Sequence, residues 1–138
     1  MSIEAFIWNY RDGEPVGFDF TTVRDLLSTD DVSWIGEHGC LRVRFKAPND
    51  CVDIYFGKDA RATNYTEGIM VSRPITHPDF LQRVFRVMEL GDVMLFYSDE
   101  TTPVFVDGAD SDRYPNDLLK ALGKPRYAKT PSDLLHQT

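Results

Sequence analysis

The chain has 138 residues and a formal net charge of −7, with 15 Lys+Arg against 22 Asp+Glu. This length is typical of one domain, because two domains would each be small for a stable core. The hydrophobic fraction of 42% is that of a globular protein and excludes collagen-like, coiled-coil and disordered chains. The acidic excess also argues against nucleic acid as a partner, since proteins that bind the phosphate backbone need surplus Lys and Arg.

The start of the chain shows neither an export signal nor a membrane anchor. Residues 1–4 carry no base, and the apolar run 5–8 is far shorter than a membrane span. The two cysteines, Cys40 and Cys51, do not make a disulfide framework, and a free buried thiol is the commoner state. We therefore expect a cytoplasmic protein that does not bind membranes.

Alternating aromatic residues predict a first strand over Glu4–Tyr10, which ends in a turn at residues 11–15. A short helix follows. Thr22 is predicted to cap its start, because an acid stands three residues later, and the apolar residues within 23–27 share one face.

The middle of the chain predicts a strand hairpin. The alternation over residues 41–46 places three cations outward and three apolar residues inward, namely Leu41, Val43 and Phe45. A turn at 47–50 leads to the returning strand 51–56, in which Asp53 is predicted to pair with the outward arginines. Residues 69–73 are predicted to add a third strand.

The clearest helical pattern covers Thr76–Leu90, with Thr76 as its cap and Gly91 as its stop. Two strands are predicted to follow, at 93–97 and 104–106.

A last helix is predicted over Pro115–Leu122, and the tail from about residue 124 is expected to fray apart from one turn at 132–135. The element order predicts a single α+β domain over residues 1–138. Its expected fold is an antiparallel or mixed sheet of about five to six strands, on which two main helices and a short N-terminal helix pack.

No spacing in the chain predicts a catalytic, metal or cofactor site. The acids of 107–112 do not follow the spacing of a calcium loop, and the three histidines are scattered. Neither cysteine has neighbours that indicate activation, and the nine glycines form no phosphate-binding loop. We therefore expect a non-catalytic protein without a cofactor or metal.

Acidic residues are concentrated in two parts of the chain. Residues 1–40 hold eight acids against two bases, and the loops between 99 and 117 are mostly acidic. Acids beside aromatic residues favour a surface that attracts and holds a basic protein, although such acids can also serve only solubility, with Trp34 in the core. The predicted partner-binding residues form two alternative faces, Asp30, Asp31 and Trp34 on one and Tyr97, Asp99, Glu100, Asp107, Asp110, Asp112 and Tyr114 on the other.

In its size, α+β order and acidic-aromatic loops at 30–34 and 107–114, the chain resembles the small acidic immunity proteins of bacterial toxin–immunity systems, such as those paired with type VI or polymorphic toxins. The resemblance implies stoichiometric binding to a cognate toxin, whose basic active-site cleft the acidic loops would fill.

Two alternatives remain open. The first is a small enzyme or small-molecule-binding domain, with a site on the sheet face of Arg42, Arg44 and Asp53 together with His77. The second is a general cytoplasmic adaptor that binds another protein. The sequence indicates no oligomeric state.

Overall fold

The computed structural model describes residues 3–36, 39–46, 50–99 and 102–134. In chain order, its strands and helices are β1 (Glu4–Arg11), β2 (Glu14–Pro15), β3 (Phe18–Asp19), α1 (Phe20–Leu27), β4 (Val32–Ile35), β5 (Cys40–Arg44), β6 (Cys51–Tyr55), α2 (Ala60–Thr63), β7 (Tyr65–Thr66), β8 (Gly68–Ser72), α3 (Pro78–Met88), β9 (Val93–Tyr97), β10 (Val104–Val106), α4 (Asn116–Ala121) and β11 (Arg126–Ala128). Short 3-10 turns cover Ser111–Arg113 and Pro131–Leu134.

Nine strands form one mixed sheet with β1 near its centre. The order across the sheet is β11-β10-β9-β1-β8-β6-β5-β4, and β2 pairs with the end of β1. Among the described pairings, only that of β10 with β11 is parallel. The prediction of about five to six strands, with two main helices and a short N-terminal helix, is therefore wrong: the described residues form this nine-stranded sheet, a two-stranded sheet of β3 and β7, and four helices.

The strand count was too low because three strands of this sheet lack an alternating pattern. One of them, β2, has only two residues and lies in the predicted turn at residues 11–15. β4 follows the polar segment 28–31 and pairs with β5, although its residues alone do not indicate a strand. β11 lies in the tail that was expected to fray, and it extends the sheet beyond β10. Leu134, beyond β11, is fully buried, and the Tyr97 hydroxyl donates a hydrogen bond of 2.6 Å to its carbonyl oxygen.

Two helix starts differ from the predicted caps. Asp19, not Thr22, caps α1, because its carboxylate accepts hydrogen bonds from the backbone N–H and the hydroxyl of Thr22. His77, not Thr76, caps α3, since its Nδ1 accepts the N–H of Asp79 at 3.2 Å. Sequence spacing identified both helices but misplaced their first residues by one to three positions.

Helices α1 and α3 cover one face of the sheet. The main core lies between them and alternate strand residues, which are buried; these include Ala5, Ile7, Leu41, Val43, Val52, Ile54, Ile69, Val71 and Leu95. Burial of apolar surface at this interface is the main force that holds the layers together. The predicted inward direction of Leu41, Val43 and Phe45 is confirmed.

The opposite face of the sheet is covered on one half only. There α4 packs its leucines over Met94 of β9 and Phe105 of β10, together with Tyr114, in a second, smaller core. None of the described helices packs on the other half, from β1 to β5. We call this half the bare face, defined by the outward residues Phe6, Trp8, Met70, Tyr55, Asp53 and Arg42.

Candidate functional site

Aromatic rings run along the bare face where β1 meets β9. Phe6 and Phe96 are stacked with their ring centroids 5.2 Å apart, and Trp8 meets Phe96 edge-on at 4.9 Å. Tyr10 continues the row, 6.4 Å from Trp8. All four rings are half-buried, and we call them the aromatic strip. Rings that support one another and remain partly open to water are typical of protein contact surfaces.

An acidic region lies at one end of this strip. Three loops meet there: the β1–β2 turn with its flanking residues (11–14), residues 89–92 after α3, and residues 107–113 after β10. Together these three loops hold seven acidic residues and two arginines. We call this region the acidic end. A groove beside it is lined by two aromatic residues and one acid, together with Pro15 and Gly68; the aromatic residues are Trp8 and Tyr10, and the acid is Glu67.

Hydrogen bonds connect the three loops. The backbone N–H of Asp110 donates to the Asp92 carboxylate at 2.8 Å. Arg113 reaches the Asp12 carboxylate at 3.1 Å, and its carbonyl oxygen accepts the N–H of Gly13 at 2.8 Å. Arg113 also lies 3.5 Å from the carboxylate of Asp110. These contacts hold the side chains of Asp12, Asp92 and Asp110 in place, and Arg113 offsets part of their charge.

The buried side chain of Tyr114 packs beneath the loops of the acidic end and contacts the backbone of two of the segments that meet there. Its hydroxyl oxygen lies 2.7 Å from the carbonyl oxygens of both Trp8 and Asp92, and its ring packs 5.0 Å from that of Tyr10. Burial raises the pKa of this phenol well above its ordinary value. Tyr114 was predicted to bind the partner. Because only 2% of it is exposed, we infer instead that it positions the loops.

The structure divides the second predicted face between two ends of the sheet. Asp107, Asp110 and Asp112 belong to the acidic end and are exposed. Asp99 follows the opposite end of β9, and Tyr97 is a core residue with its hydroxyl bonded to Leu134. Glu100 lies outside the described residues.

The first predicted face is partly neutralised by neighbouring bases. Asp31 forms an ion pair with Arg44 at 3.2 Å, and Asp30 lies in the same groove, which Lys46 and Arg83 also line. Trp34 does not lie on the bare face. Its ring packs edge-on against the buried Phe20 at the core, so it makes a poor exposed anchor.

The pairing predicted for Asp53 is confirmed. Arg42 donates from Nε to Asp53 Oδ1 at 2.8 Å and from Nη2 to Oδ2 at 3.1 Å, across the β5–β6 ladder. His77, which was grouped with these residues, lies elsewhere, with its ring 5.2 Å from that of Phe45 on the helix-covered side. The two cysteines stand at opposite ends of the same hairpin, and both are free.

Sequence reasoning recognised the alternation of Phe6, Trp8 and Tyr10 but not its meaning. Both faces of β1 are apolar: the aromatic residues lie on one face, and Ala5 and Ile7 lie on the other. Alternation alone therefore does not show which face is left without a helix. The larger size of the outward residues was the one available signal.

Within the described part of the chain, no three His, Cys, Asp or Glu side chains are grouped so as to hold a metal ion. None of the described helices is long and apolar enough to cross a membrane. No protein-family model, curated protein or solved structure matches this chain.

Proposed function

We propose that this protein binds a basic protein toxin in a stoichiometric complex and blocks it, in the manner of a bacterial immunity protein. The observation that supports the proposal best is the meeting of three acidic loops with the rings of Trp8 and Tyr10, which pack against the second core and are half-buried. Charge of one sign accelerates the encounter with an oppositely charged partner, and aromatic side chains then supply most of the binding energy.

The acidic end suits this role better than the groove of Asp30 and Asp31. In that groove Arg44, Lys46 and Arg83 stand among the acids, so its net field is weak. At the acidic end, the exposed carboxylates of Asp107 and Asp112 make no ion pair with a described residue. They are therefore available to the lysines and arginines of a partner.

The bare face adjoins the acidic end, and we propose that the contact extends over it. A stable interface covers about 800 Å² on each partner. Starting at the acidic end, a partner can continue over the aromatic strip without displacing any described helix. A toxin whose cleft carries positive charge would place that cleft over the acidic end and lose access to its substrate.

The test uses the proteins encoded beside this one in its genome, beginning with the immediate neighbour. We expect one of them to form a one-to-one complex with this protein by calorimetry and to lose its toxic activity in that complex. If none of these neighbours binds at low salt, the proposal is wrong. Binding without loss of the partner's activity would instead favour an adaptor.

A pair of matched variants locates the contact. D107N/D112N and D30N/D31N each remove two carboxylates, the first pair from the acidic end and the second from the other predicted face. We expect D107N/D112N to lower the association rate constant by about 3–10-fold at low salt, with a smaller difference at high salt. D30N/D31N should leave the rate nearly unchanged; the reverse pattern would place the contact at the other face.

A further inference from the structure

The bare face carries a second feature, at the end of the sheet remote from the acidic end. A groove of about 390 Å³ crosses β5, β6 and β8 there, and it is lined by Arg42, Cys51, Asp53, Tyr55, Ser72 and Arg73. In an acidic protein, this groove combines two arginines with one carboxylate. The acid of β1, Glu4, stands opposite Ser72 across the ladder, and its carboxylate accepts a hydrogen bond from Ser98, the residue after β9.

The residues that line this groove carry one more positive charge than negative charge, since Arg42 and Arg73 face the single carboxylate of Asp53. Arg42 is committed to Asp53 through two hydrogen bonds, and Arg44 next to it is committed to Asp31 and Ser33. The hydrogen bonds from Arg42 lower the pKa of Asp53, and the charges of Arg73 and Arg44 add to that effect, so the carboxylate stays ionised.

One cation is left over. The guanidinium of Arg73 is exposed and makes no ion pair with any residue that the structure describes.

The backbone of Arg73 is strained. Its φ angle is +53°, in the left-handed region, and it precedes Pro74, which favours an extended conformation at the residue before it. The other described non-glycine residues with positive φ are Asp12 and Asn64, which are types that adopt this region readily. An arginine gains nothing locally from such a conformation, and strain of this kind is concentrated at ligand sites.

The strained turn at Arg73 ends the β1–β8 ladder and keeps the Arg73 side chain at the groove. The N–H of Arg73 continues the β1–β8 ladder with a hydrogen bond of 3.1 Å to the carbonyl oxygen of Ile3. The chain then turns away from the sheet while the Arg73 side chain remains a wall of the groove, beside the Ser72 hydroxyl.

We propose that this groove binds a single oxyanion group, a carboxylate or a phosphate, with Arg73 as its main ligand. The Ser72 hydroxyl and the N–H groups of Arg42 not used by Asp53 are further donors within the same groove. Arginine donors in this fork geometry match the oxygen atoms of both anions. The site is independent of the proposed toxin binding, since its ligand is a small anion whereas the proposed toxin is a positively charged protein.

The first experiment is an NMR titration of the ¹⁵N-labelled protein. Inorganic phosphate and sodium acetate are added in separate series, and sodium chloride at matched ionic strength is the control. We expect saturable shifts of the Ser72 and Arg73 amides and of the Arg73 side-chain N–H with phosphate or acetate, and the anion that saturates first identifies the source. Shifts no larger than those with chloride would overturn the proposal.

Three variants complete the test. R73Q removes the cation and should abolish the saturable shift of Ser72, while R86Q removes an exposed arginine of α3 and should leave that shift intact. R73G also removes the cation, but glycine accepts positive φ without strain. We therefore expect R73G to lose the anion and to raise the thermal midpoint by roughly 2–5 °C. Retained binding in R73Q or R73G would overturn the proposal.

A thiol reaction provides a second readout. Cys51 lines the groove and is partly exposed, whereas Cys40 is buried. A bound anion should slow the alkylation of Cys51 by iodoacetamide severalfold, and the rate should be restored when the anion is removed by dialysis. An unchanged rate at saturating anion would place the anion outside the groove and contradict the assignment.

Discussion

The indole ring of Trp8 covers the backbone of Gly68, its partner across the β1–β8 ladder. A Cβ atom on Gly68 would lie 2.9 Å from Cδ1 of Trp8 and 3.3 Å from its Nε1. Non-bonded carbon atoms do not approach that closely, so the ring occupies this position only because residue 68 has no side chain. The glycine thus shapes the aromatic strip.

We expect Gly68→Ala to displace the Trp8 ring and to lower the free energy of unfolding by about 1–3 kcal/mol, the usual cost of overpacking. Urea denaturation measures this change, and near-ultraviolet circular dichroism reports the altered indole environment. Gly57→Ala is the control, since its Cβ would find its nearest neighbour at 3.9 Å. Unchanged stability and spectrum in G68A would contradict the described contact.

Removal of the Tyr114 hydroxyl should weaken the connection between β1 and the turn before β9. This hydroxyl lies within hydrogen-bond distance of two carbonyl oxygens, those of Trp8 and Asp92. We expect Tyr114→Phe to reduce the free energy of unfolding by about 1–2 kcal/mol near neutral pH. Tyr65→Phe, at an exposed tyrosine, is the matched control and should change it little.

Tyr114 should also make the fold sensitive to alkali. Burial raises the pKa of its phenol in the folded state, whereas an unfolded tyrosine ionises near pH 10. Stability from this group is therefore complete below about pH 10 and declines as the pH rises toward the folded pKa, because the unfolded chain loses its proton first. The urea midpoint of Y114F should fall less than that of the wild type between about pH 8 and pH 10.5. An equal fall in both proteins would refute this assignment.

The Arg42–Asp53 pair should contribute modestly to stability. Both side chains are partly exposed, so solvent screens their attraction, and we expect Asp53→Asn to cost about 0.5–1 kcal/mol at neutral pH. Hydrogen bonds from Arg42 lower the pKa of Asp53, so this contribution is present above the ordinary pKa of an aspartate, near 4, and is lost as the pH falls through the lowered value.

Urea midpoints of D53N and wild type should therefore converge at low pH. Asp25→Asn, which removes an exposed ion pair with the adjacent Arg24, is the comparison and should have little effect. A difference between D53N and wild type that stays constant into acid would argue against a lowered pKa.

Leu134 should behave as a core residue and not as part of a frayed tail. It is fully buried in the main core, and its carbonyl oxygen accepts the Tyr97 hydroxyl. We expect Leu134→Ala to lower the free energy of unfolding by about 2–4 kcal/mol, as truncation of a buried leucine does. Leu90→Ala, at an exposed leucine, should change it far less. Equal stability of the two variants would show that the tail does not pack.

Local patterns predicted the parts of the fold that depend on neighbours in the chain. Alternation identified the β5–β6 hairpin, the inward Leu41 and Val43, and the Arg42–Asp53 pair, because hairpin register follows from nearby residues. The same patterns missed β11, whose pairing with β10 is parallel and spans about twenty residues. Nothing in residues 126–128 distinguishes this strand from a loop.

The acidic end could not be predicted for a related reason. Asp107 is close in sequence to Asp99, yet β10 carries the chain back along β9 and leaves the two aspartates at opposite ends of the sheet. Asp12 and Asp92 join Asp110 and Arg113 only because β1 and β9 are neighbours. The number of charges along the sequence therefore showed that the protein is acidic, but it did not show which acids lie together on the surface.

The central position of β1 has a consequence for how the chain folds. Its end pairs locally with β2, but the partners of residues 4–9 in β8 and β9 follow them by roughly 60 to 90 residues, so this part of β1 stays unpaired until those distant strands arrive. Long-range pairing of this kind slows folding, because the entropy of closing a large loop is lost before the stabilising contacts form. During that delay the segment Ala5–Trp8 is an uncovered apolar strand, so refolding yield should fall steeply with protein concentration.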